Sequence, residues 1–233
     1  MATNLFYFYL VFNFGATNAD FNDQFMKHCW PFWSSTMLDG IGGAHMTQGS
    51  ATTFVADRFG NANAALNLNG GWTEVPSGFY FNTPTFTISA WIYPQTIGSW
   101  ARLLDFGNGV YSYNVVFAIG SPANIPAFQI CISGPSCALS LFSTQALILS
   151  KWQFLAVTYD GSDARIYINS IQTGTTAYTY TMPNIIRNSN LIGKSNMGGT
   201  NGYSASHIDD LRIYNKSLTQ SELLSIMKMN TSK

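Results

Sequence analysis

The sequence predicts an all-β fold, a sandwich or barrel of antiparallel strands closed by one short C-terminal helix. Three observations predict it. Runs of five to nine residues with alternating polarity recur along the chain, each bounded by Gly, Pro, Asn or Asp. No stretch before the last twenty or so residues carries a sustained helical period. The segment His207–Glu222, HIDDLRIYNKSLTQSE, then switches from a strand period to a helix period within a few residues. At 233 residues the chain fits one large domain able to bury a sizeable core without staples.

The elements follow in order. Residues 1–19 contain an apolar run, Leu5–Phe14, followed by Gly15-Ala16-Thr17-Asn18-Ala19, the pattern of a secretory signal cleaved after Ala19. No Lys or Arg precedes Lys27, so the same run also reads as an aromatic strand or as the interior of a longer protein. It is shorter than the roughly 20 apolar residues of a membrane span, and no membrane span is expected elsewhere. Residues 20–26 read as a linker, 27–228 as the domain and 229–233 as a tail. Cys29-Trp30-Pro31-Phe32-Trp33 predicts an edge strand, because proline cannot donate to a central ladder. The glycine-rich loop Leu38–Met46 and the turn Asp57–Asn61 follow. Ala64–Leu68, Trp72–Val75 and Phe86–Pro94 are strands, the last alternating strictly until its proline. Trp100–Phe106 and Tyr111–Ile119 flank Gly107-Asn108-Gly109. Trp152–Tyr159 and Ala164–Asn169 are joined by Asp160-Gly161-Ser162-Asp163, a hairpin signal. Leu191–Lys194 is short, and a Gly198–Gly202 loop leads into the last strand.

In that last strand Ile208, Asp210, Arg212 and Tyr214 fall on one face, and Asp209, Leu211 and Ile213 on the other. Asp209 therefore shares a face with two aliphatics and needs a hydrogen bond, a counter-charge or a cation. Asp210 and Arg212 form a same-face pair at the surface, worth little. Thr219 and Glu222 stand in capping-box spacing, and Leu218 can staple onto Leu223.

Composition removes some function classes. Charged residues are 9% of the chain, and eleven acidic residues balance eleven basic ones, so nucleic acid and anionic membrane surfaces are not expected partners. Cys131 and Cys137 sit at the ends of strand-like runs around Gly134, placed for a hairpin disulfide in an oxidising compartment or for two reduced core thiols in a reducing one. Cys29 is left over. Asn215-Lys216-Ser217 and Asn230-Thr231-Ser232 are N-glycosylation acceptors if the chain is secreted.

Several segments in one order carry a resemblance. DRFGNA at 57–62, LNLNGGWTEV at 66–75, FTISAWIY at 86–93, WQFLAVTYDG at 152–161 and IDDLRIY at 208–214 resemble successive motifs of laminin-G-like, concanavalin A-like jelly-roll domains. The resemblance covers roughly residues 27–228. It implies an antiparallel two-sheet jelly-roll sandwich and a secreted or cell-surface module that binds glycans or extracellular proteins, often with calcium. In that family a glycine loop near the first strand and an acidic pair on the last strand meet around one ion. The matching residues here are Asp39, in a loop with Gly42 and His45, and the pair Asp209 and Asp210. Carboxylates and loop carbonyls are what calcium requires. The same residues also read as a turn cap and as acceptors of backbone hydrogen bonds.

A sugar ring stacks on an aromatic platform while its hydroxyls pair with planar amides. Trp100, Asn108, Tyr111, Tyr113, Asn114, Asn201 and Tyr203, all in loops, supply both kinds of group. Trp91 and Trp152 lie inside regular strands and are expected to be core or strand-pair residues. Glycoside hydrolases share this architecture but need two carboxylates flanking the scissile bond. The chain has only two glutamates, Glu74 and Glu222, and the second is a helix cap. Asp209 and Asp210, being adjacent, should point to opposite faces, and Ser206-His207 near Asp209 is not triad geometry. The sequence therefore reads as a non-catalytic carbohydrate-recognition module. Adhesion or scaffolding through a protein partner is the alternative, and a hydrolase is a more distant one.

Overall fold

The computed structural model describes residues 24–198 and 202–229. The signal-like segment, most of the linker, Asn201 and the acceptor Asn230 lie outside the described residues.

The described residues form fifteen strands, most of them carrying the apolar side chains that the sequence shows. The first five are β1 (Met26–Trp30), β2 (Thr47–Ser50), β3 (Thr53–Val55), β4 (Ala65–Asn67) and β5 (Trp72–Val75). Next come β6 (Phe86–Thr96), β7 (Arg102–Gly107), β8 (Val115–Ala118), β9 (Ala127–Ile130) and β10 (Leu139–Phe142). The last are β11 (Gln153–Tyr159), β12 (Asp163–Ile168), β13 (Ile171–Ala177), β14 (Ser189–Ile192) and β15 (Ala205–Tyr214), followed by the helix α1 (Gln220–Lys228). One sheet runs β13-β12-β11-β6-β15-β4-β3, with β1 also pairing β15, and the other runs β10-β9-β8-β7-β14-β5-β2. Every pairing is antiparallel, giving the two-sheet jelly-roll sandwich.

Between the sheets lies a core of Trp30, Leu66, Phe86, Ile88, Leu104, Phe106, Phe117, Phe128, Val157 and their neighbours. Full burial of each such side chain contributes about 1.5–3 kcal/mol of transfer free energy. A second, smaller cluster lies on the outer face of the eight-stranded sheet, where Leu218, Leu223 and Ile226 pack on Phe154, Tyr167 and Tyr214. The helix starts as its sequence dictates: Thr219 Oγ1 accepts from Glu222 N–H, and the Glu222 carboxylate accepts from Thr219 N–H at 2.8 Å.

Some expectations need correction. β6 continues through Pro94 to Thr96, crossing the proline at a register shift opposite Ser206. Pro31 ends β1 rather than sitting within it. Tyr111 and Tyr113 precede β8 in a turn with φ of 49° and 56°. β2 and β13 are rich in Thr, Gln, Gly and Ser and carry no apolar alternation to reveal them. Of the two alternatives for Trp91 and Trp152, the structure takes the strand-pair one: both are half-buried on the outer face, Trp91 against Phe154 and Trp152 against Tyr93.

The largest correction concerns β15. Its register against β6 slips between Asp209 and Arg212, where Asp210 and Leu211 oppose the single residue Ala90, and Asp210 has φ 57°. Ile208 and Leu211 therefore both face the core, and Asp209 and Asp210 both face outward. The adjacent carboxylates converge on one guanidinium, that of Arg58, instead of diverging. The Asp210–Arg212 pair is buried, with two hydrogen bonds of 2.7 Å, and is not a surface pair.

Candidate functional site: a cleft on the outer face of the seven-stranded sheet

β7 contains a second bulge. Arg102 pairs Ala118 and Leu104 pairs Phe117, so Leu103 is extra, and both leucines enter the core. Arg102 and Asp105, three residues apart, consequently share the outer face. Register carries that face across the sheet through Leu191, Asp105, Val116, Gln129 and Ser140.

Above this row lies a cleft of about 340 Å³. Trp100 and Tyr111 form its aromatic walls, both with positive φ, which turns each side chain out of its strand direction. Arg102, Gln129, Ser140 and Ser195 supply its polar groups, and Ser136, Cys137, Met197 and Gly198 complete the lining. Gln129 Nε2 donates to Ser140 Oγ at 2.9 Å. Phe142 supports Trp100, with ring centroids 6.1 Å apart, and the Arg102 guanidinium lies 5.3 Å from the Trp100 ring.

Beneath the floor, Asp105 is fully buried. Its Oδ1 accepts from Asn114 Nδ2 at 2.8 Å and Asn196 Nδ2 at 3.0 Å, and its Oδ2 from Asn196 N–H at 2.9 Å. Gly107 makes this reach feasible, since a Cβ there would meet Asn114 Nδ2 at 2.4 Å. Arg102 donates to Trp100 O at 2.8 Å and Ser195 Oγ at 3.3 Å, while its Nε lies 3.6 Å from Asp105 Oδ2 and has no hydrogen-bond partner. Burial pulls the Arg102 pKa below its ordinary value, against the opposing pull of Asp105.

Of the residues the sequence nominated for sugar binding, the structure brings Trp100 and Tyr111 together. Asn108 instead ties two loops, donating to Ile186 O at 3.1 Å and accepting from Asn188 N–H at 2.9 Å. Asn114 is buried under the floor, and Tyr113 gives its carbonyl to Arg187 Nε. Tyr203 is exposed but does not line the cleft, and Asn201 lies outside the described residues. Sequence reasoning missed Arg102, Gln129, Ser140 and Ser195. The outward positions of Gln129 and Ser140 were readable from strand alternation, but Arg102 depends on the bulge. The disulfide Cys131–Cys137 is formed, and it places Cys137 in the cleft wall.

The calcium-type residues were tested against their surroundings. Asp39 Oδ1 accepts from the N–H groups of Cys29, Ile41 and Gly42, and its Oδ2 from His28 Nδ1 at 2.7 Å and Ala44 N–H. Burial pushes its carboxyl up, but these donors outweigh it and hold the pKa down at about 2. Asp209 is bound by Arg58, and Asp210 by Arg212. Burial drives the Asp209 carboxyl up to about 7, with Arg58 opposing and Asp210 and Asp57 reinforcing. Asp39 thus gives both oxygens to N–H donors, while Asp209 and Asp210 meet guanidinium groups. Among the described residues no group of three or more His, Cys, Asp or Glu converges to hold a metal ion. Asn215, the described glycosylation acceptor, is half-buried just after β15, its N–H donating to Phe25 O.

Comparison with known proteins bears on the fold. A family profile described as the concanavalin A-like lectin/glucanases superfamily matches residues 67–224. No curated protein matches the sequence. Among solved structures, domain 4 of AbnA, a GH43 extracellular arabinanase from Geobacillus stearothermophilus in complex with arabinotriose, superposes with TM-score 0.70 at 17% identity, over 86% of this chain and 97% of that one. A botulinum neurotoxin type C structure, whose cell entry is described as dependent on two ganglioside molecules, gives 0.67 at 13% identity, over 89% and 51%. The binding domain of Paraclostridial Mosquitocidal Protein 1 gives 0.64 at 16% identity, over 87% and 52%. The chain thus spans about half the length of those two toxin structures. Among the described residues no helix is long and apolar enough to cross a membrane.

Proposed function

The chain belongs to the concanavalin A-like lectin/glucanases superfamily, and on that premise we propose that it is a non-catalytic carbohydrate-recognition domain. Its site is the cleft between Trp100 and Tyr111. The observation that carries this reading is the pairing of two outward-turned aromatic walls with guanidinium, amide and hydroxyl groups between them. Apolar faces of a sugar ring pack on the former, and its hydroxyls pair with the latter. The neighbours described with arabinotriose and gangliosides support a saccharide as ligand class.

A non-catalytic role is supported by the absence of Asp and Glu from the cleft lining. Glycoside hydrolysis uses two carboxyl groups about 5–9.5 Å apart with access to the sugar. Asp105, beneath the floor, is fully buried and engaged by amide groups. The disulfide in the cleft wall supports work in an oxidising, extracellular setting.

A glycan array followed by calorimetry tests the reading. Selective, saturable binding is expected, and Trp100→Ala should weaken it about tenfold, or ~1.4 kcal/mol, with the melting curve little changed. Absence of selective binding at high protein concentration would leave the protein-partner reading in its place.

A further inference from the structure

Resting on the carbohydrate reading, we infer that the cleft selects acidic saccharides, receiving a ligand carboxylate on the guanidinium of Arg102. Arg102 is the one Lys, Arg, Asp or Glu among the residues lining the cleft. It is 4% exposed. A cation so far from water needs charged or well-aligned partners. Its hydrogen bonds go to neutral acceptors, the Trp100 carbonyl and the Ser195 hydroxyl, and its counter-charge is the buried Asp105 carboxylate, 3.6 Å from Nε. Nε is buried with no hydrogen-bond partner.

Asp105 balances that charge without taking up the guanidinium donors. Asp105 Oδ2 stands 3.6 Å from Arg102 Nε, beyond hydrogen-bond length, and the Asp105 oxygens are engaged by the Asn114 and Asn196 amides and the Asn196 N–H. The two terminal guanidinium nitrogens make one hydrogen bond each, so each keeps a second N–H, and Arg102 is among the residues that line the cleft. A planar carboxylate matches a guanidinium fork by two parallel hydrogen bonds, and such charge-assisted bonds are about twice as strong as neutral ones. The Trp100 ring 5.3 Å from the guanidinium fixes the fork beside the surface on which a sugar ring would lie. The ligand class this geometry fits is an oligosaccharide carrying a uronate or another sugar carboxylate, with its ring stacked on Trp100.

The test uses the full chain with galacturonate oligomers, their methyl esters and neutral galactose oligomers of equal length. The acid form should bind about 10- to 100-fold more tightly than its ester, the worth of a charged hydrogen bond, and this ratio should shrink as salt rises. Arg102→Gln, checked by its melting curve to be folded, should collapse the ratio of acid to ester binding to near one. Arg102→Lys, which keeps the charge but loses the fork, should give an intermediate ratio. Sialyllactose against lactose distinguishes a uronate from another acidic sugar, because the carboxylate sits elsewhere on the ring. Equal binding of acid and ester, or a ratio that survives Arg102→Gln in a folded variant, would overturn the acid preference while leaving the carbohydrate reading intact. No binding of any oligomer would overturn both.

Discussion

Two arginine–aspartate clusters in this molecule are built by the same device and end in opposite states. In β15 the bulge at Asp210 turns Asp209 and Asp210 to the outer face, where Arg58 meets both and Arg212 grips Asp210 through two bonds. In β7 the bulge at Leu103 brings Arg102 and Asp105 to one face, but they stop 3.6 Å apart. The difference lies in what surrounds them. Asp57 accepts from the Phe59 and Asn61 N–H groups and so fixes the turn that aims Arg58. The Arg58 guanidinium also lies over the rings of Phe59 and Trp91. Charge there is matched by charge. In β7 the amides of Asn114 and Asn196 take up the Asp105 oxygens, and the arginine, paired with that carboxylate at 3.6 Å but not hydrogen-bonded to it, gives its hydrogen bonds to neutral acceptors beside an open cleft. The first cluster fastens the last strand, and the second is available to a ligand.

The sharpest way to break this comparison is to remove each arginine. Arg58→Ala leaves two buried carboxylates facing each other with one counter-charge fewer. It should cost about 3–5 kcal/mol in urea unfolding, and a loss under ~1 kcal/mol would show that the cluster does not fasten β15. Asp39→Asn comes next. Its carboxylate titrates at about 2 in the folded chain against 3.8 unperturbed, so its stabilisation is present above pH ~4 and is lost as pH falls toward 2. The difference between wild type and variant should be about 2 kcal/mol at pH 7 and should vanish near pH 2. Arg102→Gln, which removes two bonds to neutral acceptors and the 3.6 Å ion pair with an Asp105 already held by amides, should cost about 1–2 kcal/mol. Smallest of all is the effect of calcium. With Asp39, Asp209 and Asp210 held by N–H groups and guanidinium groups, the melting temperature should be the same in calcium and in chelator, and a reproducible rise with calcium would locate a cation that this donor set does not accommodate.

Parts of this were legible in the residue order because they depend on neighbours in the chain. Phe86–Tyr93 alternates visibly, Asp160-Gly161-Ser162-Asp163 marks its hairpin, and Thr219 with Glu222 announces the helix start. Trp100 and Tyr111 were readable as loop aromatics on chemistry alone. Asn108 and Asn114 carried the same chemical signal, yet one is spent on Ile186 and Asn188 and the other on Asp105. No local pattern distinguishes an amide that faces a ligand from one that closes a loop.

Taken by itself, then, the order of residues determined the class of fold, most strand positions and the capped helix, since polarity period and turn chemistry act over a few residues. Only the tertiary structure decided which side of each sheet Arg102, Asp209 and Asp210 occupy. One extra residue in a strand reverses the facing of everything beyond it, and where that residue is absorbed is set by pairing with strands distant in the chain, Arg102 against Ala118 and Asp209 against Trp91.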